Sequence, residues 1–215
     1  MSTVFTVIRH GETAANLNHI IQGQSDVPLS PVGEEQARKL GRRWRGRRFD
    51  VVYSSDLSRA LRTAALAVPG CKPIPTPELR EMDLGDWVGH TTEEIAERFP
   101  DEWGSFRSGN IDCRISGGET RRELLARTEK FFRAAALRHR GKDILVVTHG
   151  GVLRIFFMML MGGTLNPGVL LPSTGNTGIN VVHCDDAGNN WRIDVWNDTA
   201  HLNSLLSEAD TFPCA

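Results

Sequence analysis

The chain contains two short apolar runs that are rich in β-branched residues, at residues 4–8 and 143–148. Runs of this length and composition are typical of buried strands. Each run ends abruptly in a histidine followed by glycine, at His10 and at His149, and Arg9 precedes the first histidine. In open α/β sheets, ligands bind at the carboxyl ends of the strands. The pattern therefore predicts that the two histidines and Arg9 share a ligand site at one edge of a sheet.

Segments with helical periodicity alternate with segments that have a strand pattern along the rest of the chain, which is typical of an α/β protein. Long amphipathic or apolar helices are predicted at residues 31–44, 119–139 and 152–161. A further helix is predicted to follow a turn and cap at residues 54–56. Further strands are predicted at residues 50–53, 73–75, 179–184 and 191–196, with the last two forming a hairpin.

A segment at about residues 91–116 interrupts this alternation. Thr91 and Glu94 have the spacing of a capping box, so a short helix is expected at residues 92–99. The pattern is irregular over residues 100–116. We predict that the whole segment is a small, mainly helical insertion that forms a lid over the site.

Composition narrows the class of protein. A length of 215 residues fits a single domain, residues 1–215, and a formal charge of −1 does not favour a nucleic-acid or membrane-surface partner. No apolar segment approaches the roughly 20 residues of a membrane helix, and the N-terminus shows no secretory leader pattern. The cysteines form no C-x-x-C pair, so we expect no disulfide framework, no thiolate metal site and a reducing cytoplasm. These cysteines are Cys71, Cys113, Cys184 and Cys214.

The end of the helix at residues 31–44 is strongly basic, since arginine and lysine dominate residues 38–48. A nucleic-acid site needs such a patch. Cations near a helix C-terminus also interact favourably with the helix dipole, and helix surfaces are commonly charged. We favour the solvated surface over the nucleic-acid site.

The candidate chemistry centres on a phosphate group. Two histidines and two arginines, Arg9 and Arg59, at strand or helix ends would suit a dianionic phosphate. His10 would attack phosphorus, while the arginines and a protonated His149 hold the phosphate oxygens. A leaving alkoxide needs a proton and an attacking water must lose one, and Glu81 is the candidate for both transfers.

Further candidate phosphate ligands lie in the loops. Asn16 belongs to a short helical turn that follows His10, and Gln22 and Gly23 lie in a loop that is punctuated by glycine and proline. Gly150 opens an apolar helix, whose free N–H groups would favour an anion.

Taken together, these residues show that the sequence resembles the histidine phosphatase superfamily, in its phosphoglycerate mutase-like branch. The motifs that carry the resemblance are residues 9–13 (RHGET) with Asn16, residues 54–60 (SSDLSRA), residues 79–89 (LREMDLGDWVG) and residues 148–151 (THGG). They occur in the family's order and extend over nearly the whole chain. The resemblance implies a three-layer α/β/α sandwich with a mostly parallel central sheet.

The resemblance also implies roles for the site residues. His10 is the expected phosphorylated nucleophile, Glu81 is the proton donor, and Arg9, Arg59 and His149 form the phosphate pocket. The positions that approach the phosphate or its neighbours in relatives are Asn16, Gln22, Gly150 and Asn176 here. No metal and no cofactor is expected.

The family contains phosphatases and cofactor-dependent phosphoglycerate mutases, and both pass through phosphohistidine. A mutase must retain its intermediate and exclude water. The mutases carry a longer insertion between the acid and the second histidine, and a bulky aromatic residue where this chain has Ala15. We therefore favour a phosphomonoesterase acting on small phosphorylated metabolites, with a cofactor-dependent phosphoglycerate mutase as the alternative.

Two further functions fit the sequence less well. A catalytically idle binding protein would lack one of the core residues, and none is missing. A two-histidine metal site would be repelled by the flanking arginines. Trp87, Trp103 and Phe106 favour a small core over a substrate pocket. The sequence leaves the leaving group unidentified, and a homodimer through an edge strand or the final hairpin stays open.

Overall fold

The computed structural model describes residues 2–162 and 172–203. The strands are β1 (Thr3–Arg9), β2 (Val51–Ser54), β3 (Ile74–Pro75), β4 (Asp143–Thr148), β5 (Ile179–Cys184) and β6 (Trp191–Asp198). They form one sheet in the spatial order β3-β2-β4-β1-β5-β6. Each strand that the sequence predicted is present. Cys214 and the predicted polar tail beyond residue 203 lie outside the described residues.

The sheet is mostly parallel, as expected. Strands β3, β2, β4 and β1 run in one direction, β5 is antiparallel to β1, and β6 is antiparallel to β5. Arg9 at the end of β1 lies opposite Thr148 at the end of β4. Because the two strands end in register, His10 and His149 leave the sheet side by side at its carboxyl edge.

Seven α-helices surround or extend this sheet in the described part of the chain. They are α1 (Ala14–Leu17), α2 (Pro31–Arg43), α3 (Ser58–Ala67), α4 (Thr92–Arg98), α5 (Pro100–Arg107), α6 (Arg121–Arg138) and α7 (Gly150–Leu160). Successive residues of β4 point to opposite faces. Ile144 and Val146 share one apolar core with α6 and α7, while Leu145 and Val147 share another with α2 and α3. The fold is therefore a three-layer α/β/α sandwich.

Helices α4 and α5 occupy the segment predicted as a lid. Trp87 is 1% exposed, and its ring centroid lies 5.6 Å from that of Trp103 and 5.2 Å from that of Phe106. These rings belong to a third apolar core that also includes Leu124 of α6 and Ile155 of α7. The aromatic side chains therefore attach the segment to the sandwich, as the sequence favoured.

Helix α5 agrees with the prediction of a mainly helical segment, although the sequence pattern at residues 100–107 is irregular. Pro100 occupies the first helical position, where its missing N–H costs nothing. One local prediction is wrong. The turn at residues 54–56 is predicted to cap α3. The cap is instead Leu57, without a side-chain hydrogen bond, because Ser54 still belongs to β2 and Ser55 turns toward the site.

The basic end of α2 is paired within the chain. Its ion pairs are Arg38 with Glu34 and Glu35, Arg42 with Glu35, Arg43 with Asp198 and Arg47 with Asp143. This pairing agrees with the solvated-surface interpretation. None of the helices within residues 2–162 and 172–203 has both the length and the apolarity to span a membrane.

Candidate active site

His10 is fixed by the turn that follows β1. It is 2% exposed, and its Nδ1 lies 2.6 Å from the carbonyl oxygen of Gly11. Because a carbonyl can only accept a hydrogen bond, Nδ1 carries the proton, and Nε2 of the neutral ring keeps a free lone pair. The Gly11 N–H donates to Thr63 of α3, and a Cβ on Gly11 would lie 2.5 Å from the carbonyl oxygen of Gly33 in α2. Two helices therefore hold this turn.

His149 is fully buried beside His10, and the two ring centroids are 5.1 Å apart. The Nε of Arg59 donates to His149 Nδ1 over 3.3 Å, and His149 Nε2 lies 2.8 Å from the hydroxyl of Ser55. Since an arginine can only donate, Nδ1 is the acceptor, and Nε2 carries the proton of a neutral imidazole.

Both histidines lie in a strongly cationic environment. Burial, followed by the charges of Arg9 and Arg59, holds the pKa of His10 well below its usual value. Burial is also the largest cause of the lowered pKa of His149. The charges of four neighbours lower it further, in the order His10, Arg59, Arg9 and Arg127. The groups that the chain itself supplies therefore favour a neutral His149, and the expected protonated His149 stays a prediction for the phosphate-bound state. A phosphate dianion would act in the opposite direction, because negative charge favours the imidazolium.

Arg59 connects the pocket to the loop before α2. It is 1% exposed and donates to the carbonyl oxygens of Ser25 at 2.6 Å and of Gly23 at 2.8 Å. Gly23 has φ +49°, and a Cβ there would lie 2.9 Å from Val88. The loop that carries Gln22 and Gly23 is therefore held beside the pocket, as predicted.

Arg9 has a donor directed into the site. One terminal nitrogen donates to the carbonyl oxygen of Thr174 over 2.9 Å. Its buried Nε has no hydrogen-bond partner among residues 2–162 and 172–203. A Cβ built on Gly150 would lie 3.5 Å from this Nε. Burial lowers the pKa of Arg9 and also that of Arg59, so an anion placed here would offset a real desolvation cost.

Three amide side chains complete the floor of the site. Asn176 donates from Nδ2 to the carbonyl oxygen of His10 at 3.0 Å and to Oδ1 of Asn16 at 3.3 Å. Asn16 closes the capping box of α1 with Thr13, and the Thr13 hydroxyl donates to Oε1 of Gln22 at 3.0 Å. These predicted residues are therefore brought together, with one another and with His10.

Glu81 lies in the irregular loop between β3 and the lid. Its Oε1 accepts from the N–H of Met82 at 2.8 Å, and its Oε2 accepts from the N–H of Gly151 at 3.0 Å. A Cβ on Gly151 would come within 2.2 Å of Glu81 Oε1. The first turn of α7 therefore contacts Arg9 at one residue and the candidate acid at the next.

Arg127 of α6 holds the loop of Glu81 in place. Its guanidinium donates to the carbonyl oxygens of Glu78 at 2.7 Å, Arg80 at 2.8 Å and Glu81 at 2.9 Å. Two further bonds, of 3.2 and 2.7 Å, reach the two carboxylate oxygens of Glu119. All five N–H donors of the side chain are therefore used.

Four of these contributors cannot be found by the sequence analysis. The local pattern indicates Ser55 as part of a helix cap, and Gly151 as one of two equivalent glycines. Arg127 lies between the apolar positions of α6, where no local pattern distinguishes it from a surface arginine. The carbonyl of Thr174 carries no side-chain signal at all.

Potential metal ligands do not cluster in the described parts of the chain. Within residues 2–162 and 172–203, no three side chains of histidine, cysteine, aspartate or glutamate are placed to hold one ion. The side chains around the two histidines are arginines instead.

Comparison with known proteins agrees with this geometry. Residues 5–199 match the histidine phosphatase superfamily (branch 1). The chain is 37% identical over 208 residues to a metal-independent phosphoserine phosphatase of Arabidopsis thaliana, covering 94% of this chain and 84% of the relative. It is 35% identical over 201 residues to phosphoglycerate mutase-like protein 4 of the same plant, covering 91% and 85%.

Among solved structures, phosphoserine phosphatase from Entamoeba histolytica in complex with 3-phosphoglyceric acid superposes with a TM-score of 0.80 and 28% identity. The superposition covers 93% of this chain and 99% of that one. The sequence match, the shared fold and the two buried histidines at the sheet edge agree with one another. The chain belongs to the histidine phosphatase superfamily, branch 1.

Proposed function

We propose that this phosphatase hydrolyses phosphomonoesters of small hydroxy or amino acids, of the phosphoserine type, through a phosphohistidine on His10. The observation that carries the proposal is the hydrogen bond from His10 Nδ1 to Gly11, which leaves Nε2 unprotonated beside the buried Arg59 and the half-buried Arg9. A neutral, oriented imidazole is a competent nucleophile toward phosphorus.

In the first step, the lone pair of His10 Nε2 forms a bond to phosphorus while the ester P–O bond breaks. Arg9 and Arg59 stabilise the charge on the phosphoryl oxygens as the transition state forms. His149 becomes a further cationic donor once the phosphate dianion favours its protonated form. The departing alkoxide takes a proton from the carboxyl group of Glu81, which then carries the negative charge.

In the second step, a water attacks phosphorus and the P–N bond to His10 breaks. Glu81 now accepts the proton that the water loses, so inorganic phosphate leaves and both residues return to their first state. The N–H groups of Met82 and Gly151 hold the Glu81 carboxylate in one orientation for both transfers.

The charge pattern supports chemistry without a metal ion. Arg59 donates directly to His149, and Arg9 and Arg127 are close enough to lower the pKa of that ring. A cation between the histidines would be repelled by these side chains. The arginines supply the positive charge that a metal supplies in other phosphatases.

The names of similar proteins support the proposed substrate class, and the short lid supports hydrolysis. Proteins similar to this chain are named phosphoserine phosphatases. We propose that the chain is one catalytic domain, with a lid at about residues 91–116 that closes over the substrate. The short lid and Ala15 favour hydrolysis over mutase activity. The free cysteines Cys71, Cys113 and Cys184 fit the expected cytoplasmic location. The homodimer is a separate prediction, and sedimentation of the purified protein would test it.

A metal-free assay tests the proposal. Purified protein in EDTA is given phosphoserine, 3-phosphoglycerate with and without 2,3-bisphosphoglycerate, and p-nitrophenyl phosphate. We expect phosphate release from phosphoserine, a transient phosphoryl adduct by intact mass, and a loss of at least about 1,000-fold in His10→Ala. His19→Asn is the control, because His19 is exposed and has φ +55°, which asparagine tolerates.

The mutase alternative makes a different prediction in the same assay. It requires 2-phosphoglycerate to appear only with the bisphosphate primer, with little free phosphate. Retained activity in His10→Ala would overturn the phosphohistidine mechanism itself.

A further inference from the structure

Arg154 extends the active-site face of α7. The helix begins at Gly150, next to Arg9, and Gly151 follows, next to Glu81. Residues three and four apart share a helix face, so Arg154 lies on the face of both glycines, one turn of about 5.4 Å further along. Helical side chains tilt toward the helix N-terminus, so Arg154 leans back toward the first turn and the site.

The charge of Arg154 is not neutralised by the chain. Arg154 is exposed, and no hydrogen bond or ion pair involves it within residues 2–162 and 172–203. Many other arginines of the described chain have carboxylate partners. Those with carboxylate partners include Arg38, Arg42, Arg43, Arg62, Arg80, Arg114, Arg122, Arg133 and Arg192.

The neighbours of Arg154 are themselves cations. Its charge contributes to the lowered pKa of Arg9 in the pocket and to that of Arg121 at the start of α6, in both cases after burial. Arg121 is fixed against the lid, with its guanidinium 3.5 Å from the ring centroid of Phe106 and a bond to that residue's carbonyl. Arg9, Arg154 and Arg121 therefore form a cluster of like charge that extends from the phosphate pocket toward the lid. Glu81 is the carboxylate that acts on Arg9, and the remaining excess of positive charge attracts an anion.

We propose that Arg154, supported by Arg121, binds a carboxylate of the substrate and selects phosphomonoesters that carry this group close to the ester oxygen. The inference rests on the proposed function, because it concerns the same pocket. In phosphoserine and 3-phosphoglycerate, the carboxylate is on the second carbon from the ester oxygen, so its distance from the phosphate is about one helical turn. A guanidinium matches a carboxylate with two parallel N–H donors.

Two pairs of substrates measure the effect of the carboxylate on activity, because the members of each pair differ in that group. Phosphoethanolamine is phosphoserine without its carboxylate, and in glycerol 3-phosphate a hydroxymethyl group replaces the carboxylate of 3-phosphoglycerate. We expect Arg154→Gln to lower kcat/KM for the two carboxylate substrates about 10- to 100-fold. The partner substrates should change less than about threefold, and Arg154→Lys should recover part of the loss.

Arg140→Gln is the matched control, because Arg140 is also exposed but lies before the amino end of β4. It should change neither substrate pair. Equal losses for both members of a pair in Arg154→Gln, or no loss for either, would overturn the inference. Failure of the proposed function would give another result. Wild-type protein would then release no more phosphate than His10→Ala from any of these substrates.

Discussion

The phosphate pocket and the loop of Glu81 lie side by side but are built by opposite means. His10, His149 and Arg59 are almost completely buried and start at the ends of strands or helices that the sheet aligns. Glu81 is only partly buried and lies on an irregular loop. Its position depends on the N–H of Gly151 and on Arg127 of α6, both of which are distant in sequence.

This difference has a consequence for function. In the proposed mechanism, the pocket acts on the phosphoryl group, which every substrate shares, so damage there should reduce activity toward all phosphomonoesters equally. The loop of Glu81 is proposed to act on the leaving group, whose need for a proton differs among substrates. Comparing an alkyl ester, phosphoserine, with p-nitrophenyl phosphate, whose leaving group needs little protonation, therefore separates the two regions.

Among the changes that distinguish the loop from the pocket, the largest effect is expected from Gly151→Ala. The new Cβ would lie 2.2 Å from Glu81 Oε1, so the carboxylate must move, while the helix itself gains a better helix former. We expect kcat for phosphoserine to fall about 100-fold, the lower end of the usual contribution of general acid catalysis. With p-nitrophenyl phosphate, the loss should be less than about fivefold, and the unfolding temperature should not decrease.

Gly150→Ala is the matched control on the pocket side. Its Cβ would lie 3.5 Å from Arg9 Nε, an ordinary contact distance. Any loss of activity in this variant should be small and the same for both substrates, because it affects the phosphate and not the leaving group. Equal losses for both substrates in Gly151→Ala would contradict the role of Glu81 in proton transfer.

The same difference explains what the sequence could predict. The strand pattern before His10 and His149 predicts their meeting, because alignment of parallel strand ends is a property of the sheet. Positions near strand ends and in loops already indicate Arg59, Asn16 and Gln22. The resemblance adds Asn176. The contacts link each of these residues to the pocket or to the turn of His10.

The support for the acid could not be predicted in this way. The bond from Gly151 to Glu81 spans 70 positions, and the bonds from Arg127 to its loop span 46 to 49. The hydrophobic periodicity of a single helix or strand cannot predict contacts between residues that are so far apart in the sequence. The tautomers of the two histidines, and their neutral state before an anion binds, depend equally on groups from several elements, such as Ser55 and Arg59.

A smaller effect is expected from Arg127→Lys. Lysine keeps the charge beside Glu119 but has three donors in place of five and no planar fork, so the carbonyls of the Glu81 loop lose partners. We expect kcat for phosphoserine to fall about tenfold through misplacement of the acid, with little change in KM. The activity toward p-nitrophenyl phosphate should fall by less than about threefold. Equal losses for both substrates would mean that Arg127 supports the fold alone.

The smallest effect concerns the stability of the pocket itself. Burial first, and then the neighbouring cations, hold the pKa of His149 well below 6.5 in the folded protein. As pH falls through about 6.5, the unfolded chain takes up a proton at this position and the folded chain does not, so the free energy of unfolding decreases. Between pH 7.5 and 6.0, this one histidine should account for about 0.8 kcal/mol of the decrease.

Urea unfolding of wild type and His149→Gln at the two pH values measures this contribution. The variant lacks one of the two buried imidazoles, so its stability should decrease less between pH 7.5 and 6.0, by about 0.8 kcal/mol. Saturating inorganic phosphate should reduce the decrease in wild type, because a bound dianion favours the protonated ring. The same decrease in both proteins would show that His149 takes up its proton in the folded state as readily as in the unfolded chain. The pocket would then differ from the loop of Glu81 in burial alone, and not in its electrostatics.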